Sequence, residues 1–176
     1  MLIGISGRAR SGKDTTADYL VQNYGFTKVA FADDLKEKCK TDFDLSDEQL
    51  HGNLKDTTDY RYNKTPREIM QTIGRFYRSI NANFWVDKCF NKLLLNKNYV
   101  LPDVRMPNEH DAIKKLNGLV WRVERSDELR GVVSNPNDIS ETSLEYYSFD
   151  LKLNNNGTFV YLYNQIDNWM INHDLY

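Results

Sequence analysis

The stretch Gly7-Arg8-Ala9-Arg10-Ser11-Gly12-Lys13-Asp14-Thr15-Thr16 decides the fold of this chain. It matches the pattern GxxxxGK and lies between an apolar run at Leu2–Ser6 and a segment with helical spacing of apolar residues. A strand, a glycine-rich loop and a helix in this order form a P-loop, whose backbone amides cradle the phosphates of a nucleotide. The sequence therefore predicts an α/β protein that binds a nucleoside triphosphate.

Two residues of this loop bear directly on its chemistry. Lys13 is expected to reach the β- and γ-phosphates as a point charge, and the helix that begins near it adds the positive end of its dipole. Asp14 stands where the pattern expects Ser or Thr, whose hydroxyl ligates magnesium. Thr15 or Thr16 is expected to supply that hydroxyl, or Asp14 to hold the ion through water. The predicted ATP-binding residues are Gly7, Arg10, Ser11, Gly12, Lys13, Asp14, Thr15 and Thr16.

Strands and helices alternate along the rest of the chain, apart from a helical middle part. This alternation is typical of a parallel sheet, here of about five strands, with helices on both faces. Beyond Leu2–Ser6, strands are predicted at 26–31, at 99–101 with an end at Pro102-Asp103, at 119–124 and at 149–153. Helices are predicted over 14–24, from Ala32, from Thr65, over about 84–95, from Pro107 and toward the C-terminal end.

One helix start is marked by a capping box. Thr65 is the predicted N-cap, because Pro66 follows in the first turn and Glu68 lies three residues after the cap. The polar segment 41–64 before it shows no clear period, so its structure is not predicted.

Composition excludes several other classes of protein. The chain has 23 Lys and Arg against 25 Asp and Glu, so it lacks the basic field of a non-specific nucleic-acid binder. Its longest apolar runs, of four or five residues, are too short to cross a bilayer. Cys39 and Cys89 lack the CxxC spacing of zinc ribbons and redox proteins. We expect a cytoplasmic protein without nucleic-acid or membrane partners. The histidines show no metal spacing and are predicted at the surface: His51, His110 and His173.

A P-loop alone does not name a reaction, because unrelated functions share it. The chain contains no NKxD motif of the kind that reads guanine, which argues against a small GTPase. Its 176 residues are few for a motor or a large ATPase. The remaining motifs must therefore indicate the function.

Four blocks in one order resemble the bacteriophage deoxynucleoside monophosphate kinases. The first is Ile5–Tyr19, whose GKDTT variant those enzymes share, so the unusual Asp14 fits the family. The blocks cover nearly the whole chain except residues 41–64. Asp138 stands where the family often has His, so no role is carried over to it. The other three blocks are Arg67–Gly74 with Phe84-Trp85-Val86, Tyr99–Arg105 with Glu109, and Ile139-Ser140-Glu141 with 149–158.

The resemblance implies a three-layer P-loop kinase fold with a small helical acceptor-side or lid region. It implies one kinase domain over 1–176, with a core of about 1–31 and 97–176 and a helical acceptor-side region of about 32–96. The implied reaction is ATP-dependent phosphorylation of deoxynucleoside monophosphates (dNMPs) to diphosphates with Mg²⁺. A homodimer is a possible assembly, and an infected bacterial host is the implied location if a phage encodes the chain.

Arginines are the expected catalytic groups, because a monophosphate kinase must hold two anions and neutralise the transferring phosphoryl group. Arg10 is the candidate for an arginine acting in cis on that group. Arg125 is expected to close over ATP from a lid that Arg122 and Arg130 also flank. The predicted catalytic residues are Lys13, Arg10 and Arg105, and the predicted dNMP-binding residues are Arg8, Lys36, Arg67, Gln71, Trp85, Asp103, Arg105 and Glu109.

Several of these assignments have a simpler alternative. Arg67 lies in the first turn of a helix, where a cation is unfavourable unless it faces an anion, but a solvated pair with Glu68 or Asp59 also explains it. Asp103 either contacts the acceptor nucleotide, holds magnesium through water, or only caps a turn before Pro107. The remaining alternatives are a core position for Trp85, a helix-dipole role for Glu109 and a solvated surface position for Lys36. The predicted metal-holding residue is Thr15 or, through water, Asp103.

Two other functions fit the P-loop. One is another small-molecule kinase of the dephospho-coenzyme A or phosphomevalonate type, and the other is a non-catalytic module that only binds nucleotide. The acceptor-side residues argue against the module, which needs no second phosphate site.

Overall fold

The computed structural model describes residues 1–131 and 137–173. Strands alternate with helical segments on either side of a helical middle part, as the sequence predicts. The strands are β1 (Leu2–Ser6), β2 (Thr27–Lys28), β3 (Tyr99–Val104), β4 (Leu119–Glu124) and β5 (Leu151–Asn154). The helices are α1 (Lys13–Tyr24), α2 (Asp33–Phe43), α3 (Asp47–His51), α4 (Pro66–Ile80), α5 (Phe84–Phe90), α6 (Pro107–Lys115), α7 (Asp127–Arg130), α8 (Ile139–Thr142) and α9 (Phe159–Asn172), with a 3₁₀ turn at Asn53–Asp56.

The chain divides into two compact units. A sheet unit comprises Met1–Ala30 and Leu93–Tyr176, and a helical unit comprises Phe31–Lys92. Within the described residues, no helix is both long enough and apolar enough to span a membrane.

The sheet unit is built on a parallel sheet in the order β2-β3-β1-β4-β5. Strand β1 pairs in parallel with β3 on one side and with β4 on the other. The carboxyl ends of these strands therefore meet at one edge, where ligands bind in open parallel sheets. This arrangement confirms the predicted α/β class with a five-stranded parallel sheet.

Alternating side chains of β1 explain why helices cover both faces. Ile3 and Ile5 point to one face and are fully buried in a cluster with Ala17 and Leu20 of α1 and with residues of α9. Gly4 points to the other face, where a Cβ atom would lie only 2.5 Å from Cδ1 of Ile113 in α6. Glycine at this position therefore lets α6 pack closely against the sheet.

The helical unit has a small core of its own. Cys39, Leu45, Leu50, Ile69 and Met70 are buried together. Two of them come from the segment 41–64, where sequence patterns predict no structure.

Ionic and capping bonds also define this unit. The buried Asp59 accepts hydrogen bonds from Arg61 and Gln49, and the pKa of its carboxyl group is well below the usual range, chiefly because of the Arg61 bond. The predicted capping box is confirmed, because Thr65 and Glu68 exchange side-chain to backbone bonds.

Several predicted boundaries are wrong. Strand β2 spans two residues instead of six, and α5 ends at Phe90, because Leu95 is 93% exposed and has no core to pack against. Strand β3 continues through Pro102 to Val104. It does so because the β1–β3 register shifts between Gly4 and Ser6, and an irregularity of this kind tolerates a residue without an N–H group. Strand β5 begins at Leu151, two residues later than predicted.

The surface position predicted for His110 is also wrong. The residue is 7% exposed, and its ring packs edge-to-face against Tyr147 and Phe149. Its ring nitrogens lie 3.1 Å from Asp111 and 3.2 Å from the carbonyl oxygen of Ser148. These polar neighbours satisfy the hydrogen-bonding capacity of both ring nitrogens of a buried histidine. The spacing of histidines along the sequence does not predict such contacts.

Candidate active site

The loop between β1 and α1 adopts a conformation that depends on its glycines. Gly7 and Gly12 have φ angles of 146° and 105°. A Cβ atom on Gly7 would lie 2.5 Å from the carbonyl oxygen of Val123, and one on Gly12 would lie 2.3 Å from Nδ2 of Asn155. The loop is therefore packed closely against the end of β4 and the segment after β5, and side chains do not fit at these positions.

Asn155 supports the loop from the other end of the sequence. Its side chain is buried, and Nδ2 donates a 2.8 Å hydrogen bond to the carbonyl oxygen of Ser11. The resemblance included Asn155 in the matching block 149–158 but gave it no role. Its position directly after the last strand, at the ligand-binding edge of the sheet, is the signal that points to it.

Lys13 is folded over its own loop. Its Nζ donates to the carbonyl oxygens of Gly7 at 2.7 Å and of Arg8 at 2.8 Å. Burial lowers the pKa of the Lys13 ammonium to about 8, and the positive charge of Arg105 contributes to this change. The carboxylates of Glu141, Asp14 and Asp103 act in the opposite direction. At neutral pH Lys13 therefore keeps its charge within a cluster of charged groups in the sheet unit.

Arg105 and the loop share one carboxylate. Glu141 accepts a hydrogen bond from Nη1 of Arg105 at 2.9 Å and another from the amide of Ala9 at 2.5 Å. The Glu141 side chain is only 7% exposed, whereas that of Arg105 is 38% exposed. The resemblance included Glu141 in a matching block but carried no role for it.

Glu109 closes the start of α6. Its carboxylate accepts hydrogen bonds from the backbone amides of Arg105 at 2.8 Å and of Met106 at 3.0 Å, and the residue is 3% exposed. These bonds satisfy helix-end donors, as the helix-dipole alternative expects.

A cavity of about 250 Å³ opens beside the loop in the sheet unit. Ser11 Oγ and Arg125 Nε are buried and make no hydrogen bond within the described residues. Both belong to the cavity wall, so polar groups are available there for an anion. The lining comprises Arg8, Ser11, Arg122, Val123, Glu124, Arg125, Asp127, Arg130 and Glu145.

The other arginines of the loop differ in their surroundings. Arg8 pairs with Glu145. Arg10 is exposed and has a φ angle of 61°, in the left-handed region that side chains other than glycine rarely adopt. This backbone conformation is costly for arginine, and sites that retain such a conformation are often functional.

The three residues after Lys13 are placed differently. Asp14 is exposed and pairs with Lys28 at 3.1 Å. Thr16 is fully buried, and its hydroxyl donates to the carbonyl oxygen of Gly12 at 3.0 Å. Thr15 lies between them and is half-buried.

The helical unit carries the other predicted acceptor residues. Arg67 is paired with Asp56 through Nε at 2.6 Å and Nη2 at 3.0 Å, rather than with either carboxylate that the sequence suggested. Lys36 lies 3.3 Å from His51, and Gln71 is half-buried. The forked pair shows that the Arg67 guanidinium has the geometry to grip a planar oxyanion.

Trp85 lies in the core of the helical unit. It is 3% exposed, its Nε1 donates to the carbonyl oxygen of Gly74 at 3.2 Å, and its ring packs edge-to-face against Tyr77 and Phe84. Burial of both ring and N–H group favours the core interpretation over stacking on a base.

Trp85→Phe is expected to lower the free energy of unfolding by about 1–3 kcal/mol. The loss combines one hydrogen bond of about 1 kcal/mol with the volume that the indole filled. Denaturant unfolding measures this change, and Phe76→Leu, at an exposed position of α4, is the matched control. Unchanged stability together with a higher KM for the dNMP would contradict the core interpretation.

Comparison with known proteins agrees with this geometry. The family model for deoxynucleotide monophosphate kinase matches residues 1–60 and 53–166. A putative deoxynucleotide monophosphate kinase of Acanthamoeba polyphaga mimivirus is 36% identical over 185 residues, covering 94% of this chain and 94% of the relative. The deoxynucleotide monophosphate kinase of Enterobacteria phage T4 is 26% identical over 239 residues, covering 95% and 97%.

Among solved structures, a shikimate kinase from Acinetobacter baumannii in complex with shikimate has a TM-score of 0.58 at 13% identity. The match covers 99% of this chain and 95% of that structure, and it shows the fold alone. The residues matched by the family model include the segment 41–64, which the resemblance in four blocks left out, and the mimivirus relative matches 94% of this chain. The chain therefore belongs to the deoxynucleotide monophosphate kinase family.

Proposed function

We propose that the protein transfers the γ-phosphoryl group of ATP to a deoxynucleoside monophosphate, and that the loop over residues 7–16 holds the donor phosphates. One observation carries the proposal. Glu141 accepts hydrogen bonds from the Ala9 amide of the loop and from Arg105 after β3, which holds the Arg105 guanidinium near the loop that contains Lys13. Two cations held together at the carboxyl edge of a parallel sheet suit a reaction between two phosphates.

The loop amides and Lys13 stabilise the charge that spreads over the transferring group. This reaction needs positioning and electrostatic stabilisation more than covalent chemistry, so preorganised N–H groups and cations supply most of the catalysis. Arg10 acts on the transferring group in cis, and Arg125 closes over the donor nucleotide. Arg105 neutralises charge on the acceptor phosphate.

Acceptor binding is the proposed task of Arg67 and Gln71 of α4. Arg67 binds the monophosphate through Nε and Nη2, and the phosphate then replaces Asp56 as the partner of the guanidinium. Gln71 lies one turn further along α4 and reads the base edge. The same task is proposed for Arg8, Asp103 and Lys36. Burial of Trp85 and the bonds from Glu109 to the backbone at the start of α6 support structural roles for these two residues.

Oxygen donors near Lys13 fit a magnesium ion. Mg²⁺ takes hard oxygen ligands and usually binds through one or two protein groups together with substrate phosphates. Thr16 is fully buried, whereas Thr15 is half-buried. We therefore propose that Thr15 ligates the ion, with Asp103, through water, as the alternative. When bound, the ion neutralises charge on the phosphate oxygens.

Asp14→Ser is expected to change kcat by no more than about threefold, the scale of a surface substitution, since Asp14 is exposed and pairs with Lys28. Thr15→Val is expected to raise the Mg²⁺ concentration for half-maximal activity by about tenfold. Magnesium titrations of activity measure both, with Thr15→Ser as the control that keeps the hydroxyl. Loss of magnesium affinity in Asp14→Ser alone would assign the ion to Asp14 instead.

The reaction itself is tested by ADP release from ATP with a panel of deoxynucleoside monophosphates. Turnover of at least one of them supports the proposal. Turnover only with dephospho-coenzyme A or phosphomevalonate would contradict it, and so would ATP binding without turnover of any acceptor.

A further inference from the structure

The carboxylate of Glu141 joins two parts of the site that act on different substrates. One oxygen accepts the amide of Ala9 in the loop, and the other accepts Nη1 of Arg105. The two bonds connect residues 132 and 36 positions away in the sequence. A buried carboxylate with both oxygens engaged holds these groups at a defined separation, since breaking either bond leaves a charge or a donor without compensation.

The backbone around Arg105 is anchored independently of Glu141. The hydroxyl of Ser143 donates to the Arg105 carbonyl oxygen at 2.5 Å, and Glu109 accepts the Arg105 amide. These bonds fix the main chain, whereas the bond from Glu141 acts on the guanidinium. An arginine carries five N–H donors, and the side chain is 38% exposed, so donors remain for a phosphate after Glu141 has taken one.

Glu141 also reduces a repulsion within the site. Lys13 and Arg105 are both cationic. The charge of Arg105 lowers the pKa of the Lys13 ammonium, whereas the charge of Glu141 raises it. A negative charge near two positive charges lowers the free-energy cost of keeping them close together before the substrates bind.

We propose that Glu141 is a positioning residue that orients the Arg105 guanidinium relative to the phosphate-binding loop. The inference rests on the proposed function, which gives Arg105 and the loop their tasks. A misplacement of about 1 Å in such a constellation costs up to about 10²-fold in rate, so a residue that fixes this distance affects kcat more than substrate affinity.

Glu141→Gln tests the inference because the amide keeps the size but offers one acceptor where the carboxylate offers two. We expect kcat to fall about tenfold, within the range for misplaced groups, while the dissociation constant for ATP changes by less than about threefold. Glu141→Asp keeps the charge and is expected to recover part of kcat. Glu128→Gln, an exposed glutamate of α7, is the matched control for loss of one negative charge.

Three outcomes would overturn the inference. Unchanged kcat in Glu141→Gln would contradict the positioning role. This holds also if the denaturation midpoint of the variant falls, because Glu141 would then contribute only to stability. ATP binding that becomes tenfold tighter with unchanged kcat would mean that phosphates displace the carboxylate. Loss of kcat in Glu128→Gln to the same extent would mean that only the net charge matters.

A readout without turnover separates this inference from the proposed function. Hydrogen exchange at the Ala9 amide is expected to be faster in Glu141→Ala than in the wild type, under conditions in which both proteins are folded. Equal exchange rates would overturn the inference even if the enzyme is fully active. A wild-type protein that phosphorylates no deoxynucleoside monophosphate would overturn the proposed function, and the exchange rates would still decide whether Glu141 holds the loop.

Discussion

Lys13→Ala is expected to lower kcat for phosphoryl transfer by about 10²–10⁴, the scale for losing one preorganised electrostatic contact. The ammonium is buried beside the loop and bonded to the carbonyl oxygens of Gly7 and Arg8. Alanine removes both the charge and these two bonds. Loss of the charge reduces stabilisation of the transition state. Loss of the two bonds makes the loop, whose amides are proposed to bind the phosphates, less rigid.

Steady-state ADP release and an ATP dissociation constant measure the two effects of Lys13→Ala separately. Lys115→Ala, at an exposed position at the end of α6, is the control for removing a lysine from the same unit. Near-normal turnover in Lys13→Ala would mean that the loop is not the ATP site.

Arg67→Ala is expected to raise the KM for the deoxynucleotide by about 10- to 100-fold. Charge-assisted hydrogen bonds contribute roughly 1.5–3 kcal/mol each, and 1.4 kcal/mol is a factor of ten in an equilibrium. The forked contact with Asp56 shows that the guanidinium is oriented for two parallel bonds. Arg67→Lys should recover only part of the loss, because an ammonium cannot make that contact.

Two controls make the Arg67 experiment decisive. ATP binding without acceptor should hardly change, since Arg67 is assigned to the other substrate. Asp56→Asn removes the opposing charge and keeps Arg67, so the KM should stay near that of the wild type or fall. Collapse of ATP affinity in Arg67→Ala would indicate a structural or donor-side role. An unchanged KM would identify a solvated arginine whose only task is the pair with Asp56.

Much of the fold was predictable because its signals are local. The capping box joins Thr65 and Glu68 across three residues, and the sequence alone predicts it. The boundaries of β2 and α5 were not predictable to the residue, because the strand partner or the core that ends them comes from elsewhere in the chain. The same holds for His110, whose neighbours at 147–149 lie far along the sequence.

The candidate site divides in the same way. The sequence by itself determined the loop, its lysine and the family, because the chemistry of a phosphate cradle requires particular residues at contiguous positions. Only the tertiary structure decided that Asn155 supports Ser11 from 144 positions away and that Glu141 joins Ala9 to Arg105. It also decided that Trp85 is buried and that Asp56 is the partner of Arg67. These contacts depend on how the chain folds back on itself, and no periodicity or spacing encodes which distant side chain will lie within hydrogen-bond reach.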